Sequence, residues 1–454
     1  MARAATRQVK RGSAALVVAM LVALGASEAQ AADVKALNAV HGATTWFVED
    51  HSVPMIAMAA SLPAGSAYDP AAKSGLSAFA ASLLDEGAGG LDSKAFHDAL
   101  ANRAIQLTVT PDRDYLEISL VTLSENTPDA FRLLGLALQH ARFDQEAIAR
   151  VRAQMIQNVQ RDQEDPEAVA EKGFHAAFFA GNAYGHSPNG DIAGLSAVTQ
   201  EDLKAFARAH WVRGGMKIAV AGDASPASIA VLLDSAFAKL PAAVPPHPPA
   251  VTHMGKTDAV EVIPMSVPQP TAIFGVPAVP RNDPDYLAAY VANDILGGGG
   301  FSSRLTNEVR VKRGLTYDIS TDLVSYRNAS YVEGEVATRR EDMRRSLAVT
   351  REVMKKFAAE GATDQEVADA KAYLTGSFPL TFASDAGLVS QLAVFQREGL
   401  GPDYVSKRNS LIDAVTVEDV RRAAKRLFDP KRLTIVVAGS PAGVGARAPA
   451  GTKH

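Results

Sequence analysis

The chain has 454 residues, 47% of them hydrophobic and 21% charged, with no cysteine and a formal net charge of −4. That balance leaves room for two folded cores and excludes a wholly disordered chain. It also excludes disulfides, thiol catalysis and a lipid-bearing cysteine, and no basic stripe with interleaved aromatics points to nucleic acid.

At the N-terminus Arg3, Arg7, Lys10 and Arg11 precede an apolar run from Ala14 to Ala26, and Ala29 and Ala31 form a small-residue cleavage site. This order predicts a secretory signal over 1–31 cut after Ala31, and export to a periplasm. The run is too short to span a bilayer comfortably, so no membrane anchor is expected. Cleavage leaves 42 Lys/Arg against 49 Asp/Glu.

Strands are expected around 44–48 and 54–62, then a helix over 74–86 and another from Ser93. A hairpin-like pair over 104–110 and 115–122 follows, with long helices over 128–139, 145–163 and 167–179. A proline-rich stretch, 241–251, suits a semi-rigid polyproline-like linker. Beyond it the plan repeats: a strand over 271–276, helices over 285–296 and 302–312, strands over 316–324 and 330–337, helices over 341–360 and 364–374. A Gly- and Ala-rich tail, 442–454, is expected to be disordered.

The repetition is visible residue by residue. Thr199 with Asp202 and Thr416 with Asp419 are capping-box starts, each followed by a basic amphipathic helix and an apolar strand. The offset is 217 residues throughout. A cap, helix, turn and strand at constant spacing mark two homologous halves, 32–240 and 252–441. The expected fold class is α+β: two homologous domains, each a largely antiparallel sheet with helices packed on one face.

Several segments resemble the pitrilysin/insulinase-type zinc metallopeptidases, family M16. They are the strand end 62–68 with Gly65, the helix 75–87, Asp114 with Tyr115, the stretch 182–186, and the glycine-led segment 296–317. The resemblance covers nearly the whole chain after the leader and implies that each chain forms half of a peptidase chamber. Active members carry His-x-x-Glu-His on the first helix, with a further Glu ligand about 76 residues on. The matching positions here are Ala78 and Ser82 for the histidines, Ala81 for the base and Asn158 for the distant ligand. Alanine has no donor atom, and serine and asparagine are poor zinc ligands beside imidazole and carboxylate. Independently of any family, no two of the ten histidines are three or four apart, so no helical histidine pair exists. Asp85 and Glu86 suit either a displaced acid/base pair or the solvated end of a helix. His175 and His186 suit either a stray metal pair or core and surface positions.

The resemblance also implies what the second half keeps. In active members an Arg and a Tyr seven residues apart contact the substrate main chain; the matching pair is Arg310 and Tyr317. Both sit where a basic helix end and a core strand would suit them equally. The four glycines 297–300 give permissive backbone, and no Gly-Lys-Ser/Thr follows to cradle phosphate. The stretch Gln106, Leu107, Thr108, Val109 and Thr110 matches the edge strand on which family substrates pair. Some family members divide the zinc motif and the Arg/Tyr pair between two proteins, as mitochondrial processing peptidase does. The resemblance therefore implies a non-catalytic periplasmic subunit that binds no cofactor itself. Its partner would be a zinc-bearing homologue and its substrates unstructured peptides. Alternatives are a homodimeric peptide-binding module, a scaffolding subunit like the M16-like core proteins of the bc1 complex, and an independent hydrolase.

Overall fold

The computed structural model describes residues 33–245, 247–248, 250–255 and 259–444. The leader over 1–31 and the tail from 445 onward lie outside the described residues. Residues 442–444, the start of the expected tail, pack on the second half: the Ala442 N–H donates to the Arg340 carbonyl at 3.0 Å.

In the first half the strands are β1 (Lys35–Leu37), β2 (Thr44–Glu49), β3 (Met55–Leu62), a two-residue ribbon of β4 (Gly87–Ala88) and β5 (Leu91–Asp92), β6 (Gln106–Pro111), β7 (Leu116–Leu123) and β8 (Lys217–Gly222). The second half supplies β9 (Ala259–Ile263), β10 (Thr271–Pro277), β11 (Ile319–Ser325), β12 (Ser330–Ala337) and β13 (Thr434–Ala438). The first sheet runs β1-β2-β8-β3-β7-β6 and the second β9-β13-β10-β12-β11. Setting aside β1, the two orders are the same, and each sheet has one parallel pair, β2 with β8 and β9 with β13. The register repeats too. Ala59 lies between Ala219 and Ser119, and Ile273 lies between Val436 and Glu335. Both capping boxes are formed.

Each sheet is covered on one face by helices of its own half, around Phe79, Phe131 and Phe237 in the first and Met354, Phe357 and Phe428 in the second. The other face of each sheet is covered by a helix from the opposite half. Helix Asp385–Arg397 lays Leu388, Val389, Leu392 and Ala393 on Trp46, Ala57, Ala59 and Ala219 of the first sheet. Helix Pro166–Phe178 lays Ala170, Phe174, Ala177 and Phe178 on Ile273, Val436 and Ala438 of the second. Burial on both faces explains why β3 is a continuous apolar run and not an alternating one. Close approach demands glycine where the second helix crosses. A Cβ on Gly173 would lie 2.5 Å from Ile263, and one on Gly275 2.6 Å from Phe174.

Of the two exchanged helices, Pro166–Phe178 matches the expected 167–179, whereas the sequence did not mark Asp385–Arg397, nor two further helices. Asp385–Arg397, Tyr404–Asp413 and Pro226–Phe237 are all helical. The helix expected over 74–86 is shorter, Leu76–Ala81, and gives way to turns before Gly87. No single described helix is long and apolar enough to cross a membrane.

Candidate functional site

The helix Leu76–Ala81 begins at Gly75, whose φ of 91° places it in the left-handed region that glycine tolerates. Asp69 fixes this start by accepting from the N–H groups of Gly75 and Ser77, both at 2.8 Å. Burial raises the Asp69 carboxyl to about 7, against the pull of those donors.

Ala78 and Ala81 are buried, 2% and 1% exposed, within the first core. The Ser82 hydroxyl is exposed and donates to the Ala78 carbonyl at 2.9 Å. Asn158 sits on helix Gln145–Asp162, where its Oδ1 accepts from Arg161. Arg152 of that helix lies 5.5 Å from the Phe79 ring centroid, so the two helices adjoin. Two methyl groups, a hydroxyl already bonded to backbone and a carboxamide held by arginine do not fit zinc.

Asp85, Glu86 and His97 bring their ligating atoms within 4.8 Å of one another. Their charges are already answered. Glu86 is buried, accepts from Ser93 Oγ at 2.5 Å and pairs with the Arg150 guanidinium; Asp85 lies 3.4 Å from His97 Nε2. This is a structural ion-pair network at the end of the helix. His175 is also structural. It is packed among Phe174, Phe179 and Tyr331, 3.5 Å from Glu333, and burial lowers its pKa to about 2, so the ring is neutral. His186 contributes its carbonyl to Arg113, which also donates to the Tyr184 carbonyl at 2.9 Å.

Asp114 ties the hairpins of the two halves together. It accepts from the Tyr184 hydroxyl at 2.6 Å and from the Arg327 N–H at 2.8 Å, Arg327 lying in the β11–β12 turn.

Arg310 and Tyr317 lie on one continuous segment. The helix expected over 302–312 widens across Thr306–Val311, where the Lys312 N–H reaches back five residues to the Asn307 carbonyl at 2.9 Å. Such widened turns are rare and concentrate at functional sites. The Arg310 guanidinium stacks 4.6 Å from the ring centroid of Phe301, which is 73% exposed. Tyr317 is 85% exposed and precedes β11, which starts at Ile319 instead of the expected 316. Neither side chain is hydrogen-bonded to any described residue. Phe301 was not marked in the sequence; its signal was an aromatic residue directly after the glycine run.

Strand β6, spanning Gln106, Leu107, Thr108, Val109, Thr110 and Pro111, is an edge strand of the first sheet and, among the described residues, pairs only with β7. Leu107 and Val109 turn toward the core while Gln106, Thr108 and Thr110 are exposed. Helix Leu76–Ala81, which carries Ala78 and Ala81, packs beside it.

Two family models match the chain. Residues 46–190 match Insulinase (Peptidase family M16), and residues 197–374 match the Peptidase M16 inactive domain. The chain is 26% identical over 334 residues to the non-peptidase homolog YmxG of Helicobacter pylori, covering 74% of this chain and 77% of that one. It is 24% identical over 395 residues to the mitochondrial-processing peptidase subunit beta of Blastocladiella emersonii, covering 83% and 82%. Among solved structures, a peptidase M16 inactive domain from Pseudomonas fluorescens superposes with a TM-score of 0.85 at 27% identity, covering 92% of this chain and 99% of that one. With its two matched sheets, and with family models spanning most of residues 46–374, the chain belongs to the M16 family.

Proposed function

We propose that the protein is a periplasmic, non-catalytic subunit that pairs with a zinc-bearing M16 homologue and completes its peptide-cleaving site with Arg310 and Tyr317. The observation that carries this is the exposure of Tyr317, 85%, on the same segment as Arg310, whose guanidinium, among the described residues, meets the exposed ring of Phe301. Large exposed aromatics next to arginine are the side chains most enriched at binding hot spots. Phe301 and Val311, 73% and 62% exposed, extend the same surface.

The chemistry follows from the two groups. A guanidinium donates planar, charge-assisted hydrogen bonds to a peptide carbonyl, holding the main chain whatever its side chains. A phenol hydroxyl donates to the oxygen on which negative charge develops as the carbonyl is attacked. Zinc in the partner would supply the activated water. The open edge of β6 offers main-chain pairing to an extended peptide, again without regard to sequence.

The test is peptide cleavage by the reconstituted pair. Arg310→Ala should lower kcat/KM by roughly a hundredfold and Tyr317→Phe by about tenfold, within the usual range for losing one transition-state donor. Unchanged turnover in the Arg310→Ala pair would remove the complementation mechanism. The exposed edge of β6 favours one second reading, a homodimer that captures peptides without cutting them. Peptide binding by the lone protein, with no association with a zinc-bearing homologue, would favour it.

A further inference from the structure

A large cavity lies elsewhere, where helix Asp385–Arg397 and the preceding turn Phe378–Phe382 meet the start of β3 and the end of β2. Its volume is about 920 Å³, at the upper end of the ~300–1,000 Å³ usual for ligand pockets. It opens at the Met55 end of β3. The helix with the vacated zinc positions follows the opposite end, Leu62, a strand length of roughly 23 Å away at ~3.3 Å per residue. The two features are therefore separate.

The floor is apolar: Met55, Ala57 and Val121 from the sheet, Phe378 and Leu388 from the second half. The rim carries four carboxylates, Asp33, Glu49, Asp50 and Asp385, and no lysine, arginine or histidine lines it. Two of the four are answered nearby, since Lys35 lies 3.1 Å from Glu49 and 4.0 Å from Asp33. Asp50 accepts the Ser52 N–H at 2.8 Å, and the Ser52 hydrogen bonds and the neighbouring His51 hold its carboxyl below the ordinary value, although the His51 ring itself is bonded to Asp223. Asp385 has no cationic partner among the described residues. Asp50 and Asp385 both line the same cavity, and the Asp385 carboxyl is raised by burial and then by the Asp50 charge. Val53, 49% exposed, leaves an apolar lip at the mouth.

An apolar floor under a rim of four carboxylates, with no basic side chain among the described residues in its lining, selects a ligand with a cationic head and an apolar body. We infer that this cavity binds a short basic–apolar segment of another polypeptide, one in which a lysine or arginine adjoins a bulky apolar residue. The apolar side chain would displace water from the floor, and the cation would relieve the Asp50–Asp385 repulsion. Neither Arg310, Tyr317 nor β6 takes part, so the inference stands apart from the proposed subunit role.

The test uses the full chain and two fluorescent hexapeptides, one of alternating leucine and lysine and one with glutamate in place of lysine. The lysine peptide should bind with a salt-sensitive affinity and the glutamate peptide should not. The Asp50→Asn/Asp385→Asn double variant should weaken lysine-peptide binding about tenfold or more, with an unchanged melting temperature as evidence of folding. Should the double variant not fold, Val53→Lys places a positive charge at the exposed lip and should give a similar loss. Equal binding of the two peptides, or full binding by these variants, overturns the inference. So does loss of binding only on Tyr317→Ala, which would place the peptide at the other surface. Self-association that the double variant abolishes would assign the cavity to a second copy. Binding by a chain starting at Ala32, but not by the full chain, would assign it to the protein's own N-terminal segment. Either result replaces the occupant proposed here.

Discussion

The two exchanged helices meet their sheets at equivalent places with different chemistry. In the first sheet Glu117 of β7 pairs across β3 with Ser61, and in the second Glu333 of β12 pairs across β10 with Gly275, the equivalent position by register. Glu117 accepts from the Ser61 hydroxyl at 2.7 Å and pairs with Arg397 of the exchanged helix, which also reaches Asp112 at 3.4 Å. Glu333 has no such arginine on its exchanged helix. It faces the neutral His175 at 3.5 Å, and His175 Nδ1 and Glu333 Oε2 are both buried without a hydrogen-bond partner among the described residues. Burial pushes both carboxyls up; Arg397 pulls Glu117 back, whereas Glu333 rises to about 7. One interface is thus closed by charge pairing and the other by a carboxyl that is stable when protonated. The fold can fill the same position with either solution, and the second places the titration of its carboxyl near neutral pH.

Breaking the first interface should have the larger effect. Arg397→Ala leaves Glu117 and Asp112 without their shared cation, and the partly buried pair should cost about 2–3 kcal/mol, read as a lower denaturation midpoint. Double variants combining Arg397→Ala with Glu117→Gln should recover part of that loss, because the stranded charge is gone.

The second interface should respond to pH. Glu333 titrates near 7 in the fold and at the ordinary 4.5 when unfolded, so the folded state holds an extra proton between those values. The stability it contributes is whole below about pH 4.5 and is lost as pH rises through 7. Glu171 and Asp322 add to the rise and Arg113 opposes it. Glu333→Gln should therefore flatten the decline and make the protein more stable than the parent at pH 8, by on the order of 1–2 kcal/mol. A parent and variant with parallel pH profiles would show that Glu333 does not govern this contact.

The smallest effects should be matched ones. Thr199→Ala and Thr416→Ala remove equivalent capping boxes and should each cost about 1 kcal/mol. Unequal losses would mean that the duplicated helices have diverged in how firmly their sheets hold them.

These contrasts also show what the sequence made legible. The duplication was visible because Thr199, Asp202, Thr416 and Asp419 act on backbone three residues away, within reach of local inspection. The absence of a helical histidine pair was legible for a similar reason, since the spacing of such a pair is local. The exchange of helices was not. Asp385–Arg397 is apolar along its contact with a sheet more than 150 residues earlier, and no local pattern names that partner. The widened turn over Thr306–Val311 escaped because the hydrophobic spacing of a short segment does not distinguish four-residue from five-residue hydrogen bonding. The acidic cavity joins Asp50 to Asp385, a meeting that only the tertiary fold creates.

The most direct measurement is cleavage of an unstructured peptide by the purified protein alone and after mixing with a zinc-bearing M16 homologue from the same source, with bound zinc quantified in each sample. The account predicts no zinc and no cleavage for the protein alone, and cleavage by the pair that depends on Arg310. Chelator-sensitive cleavage by the protein alone would contradict it.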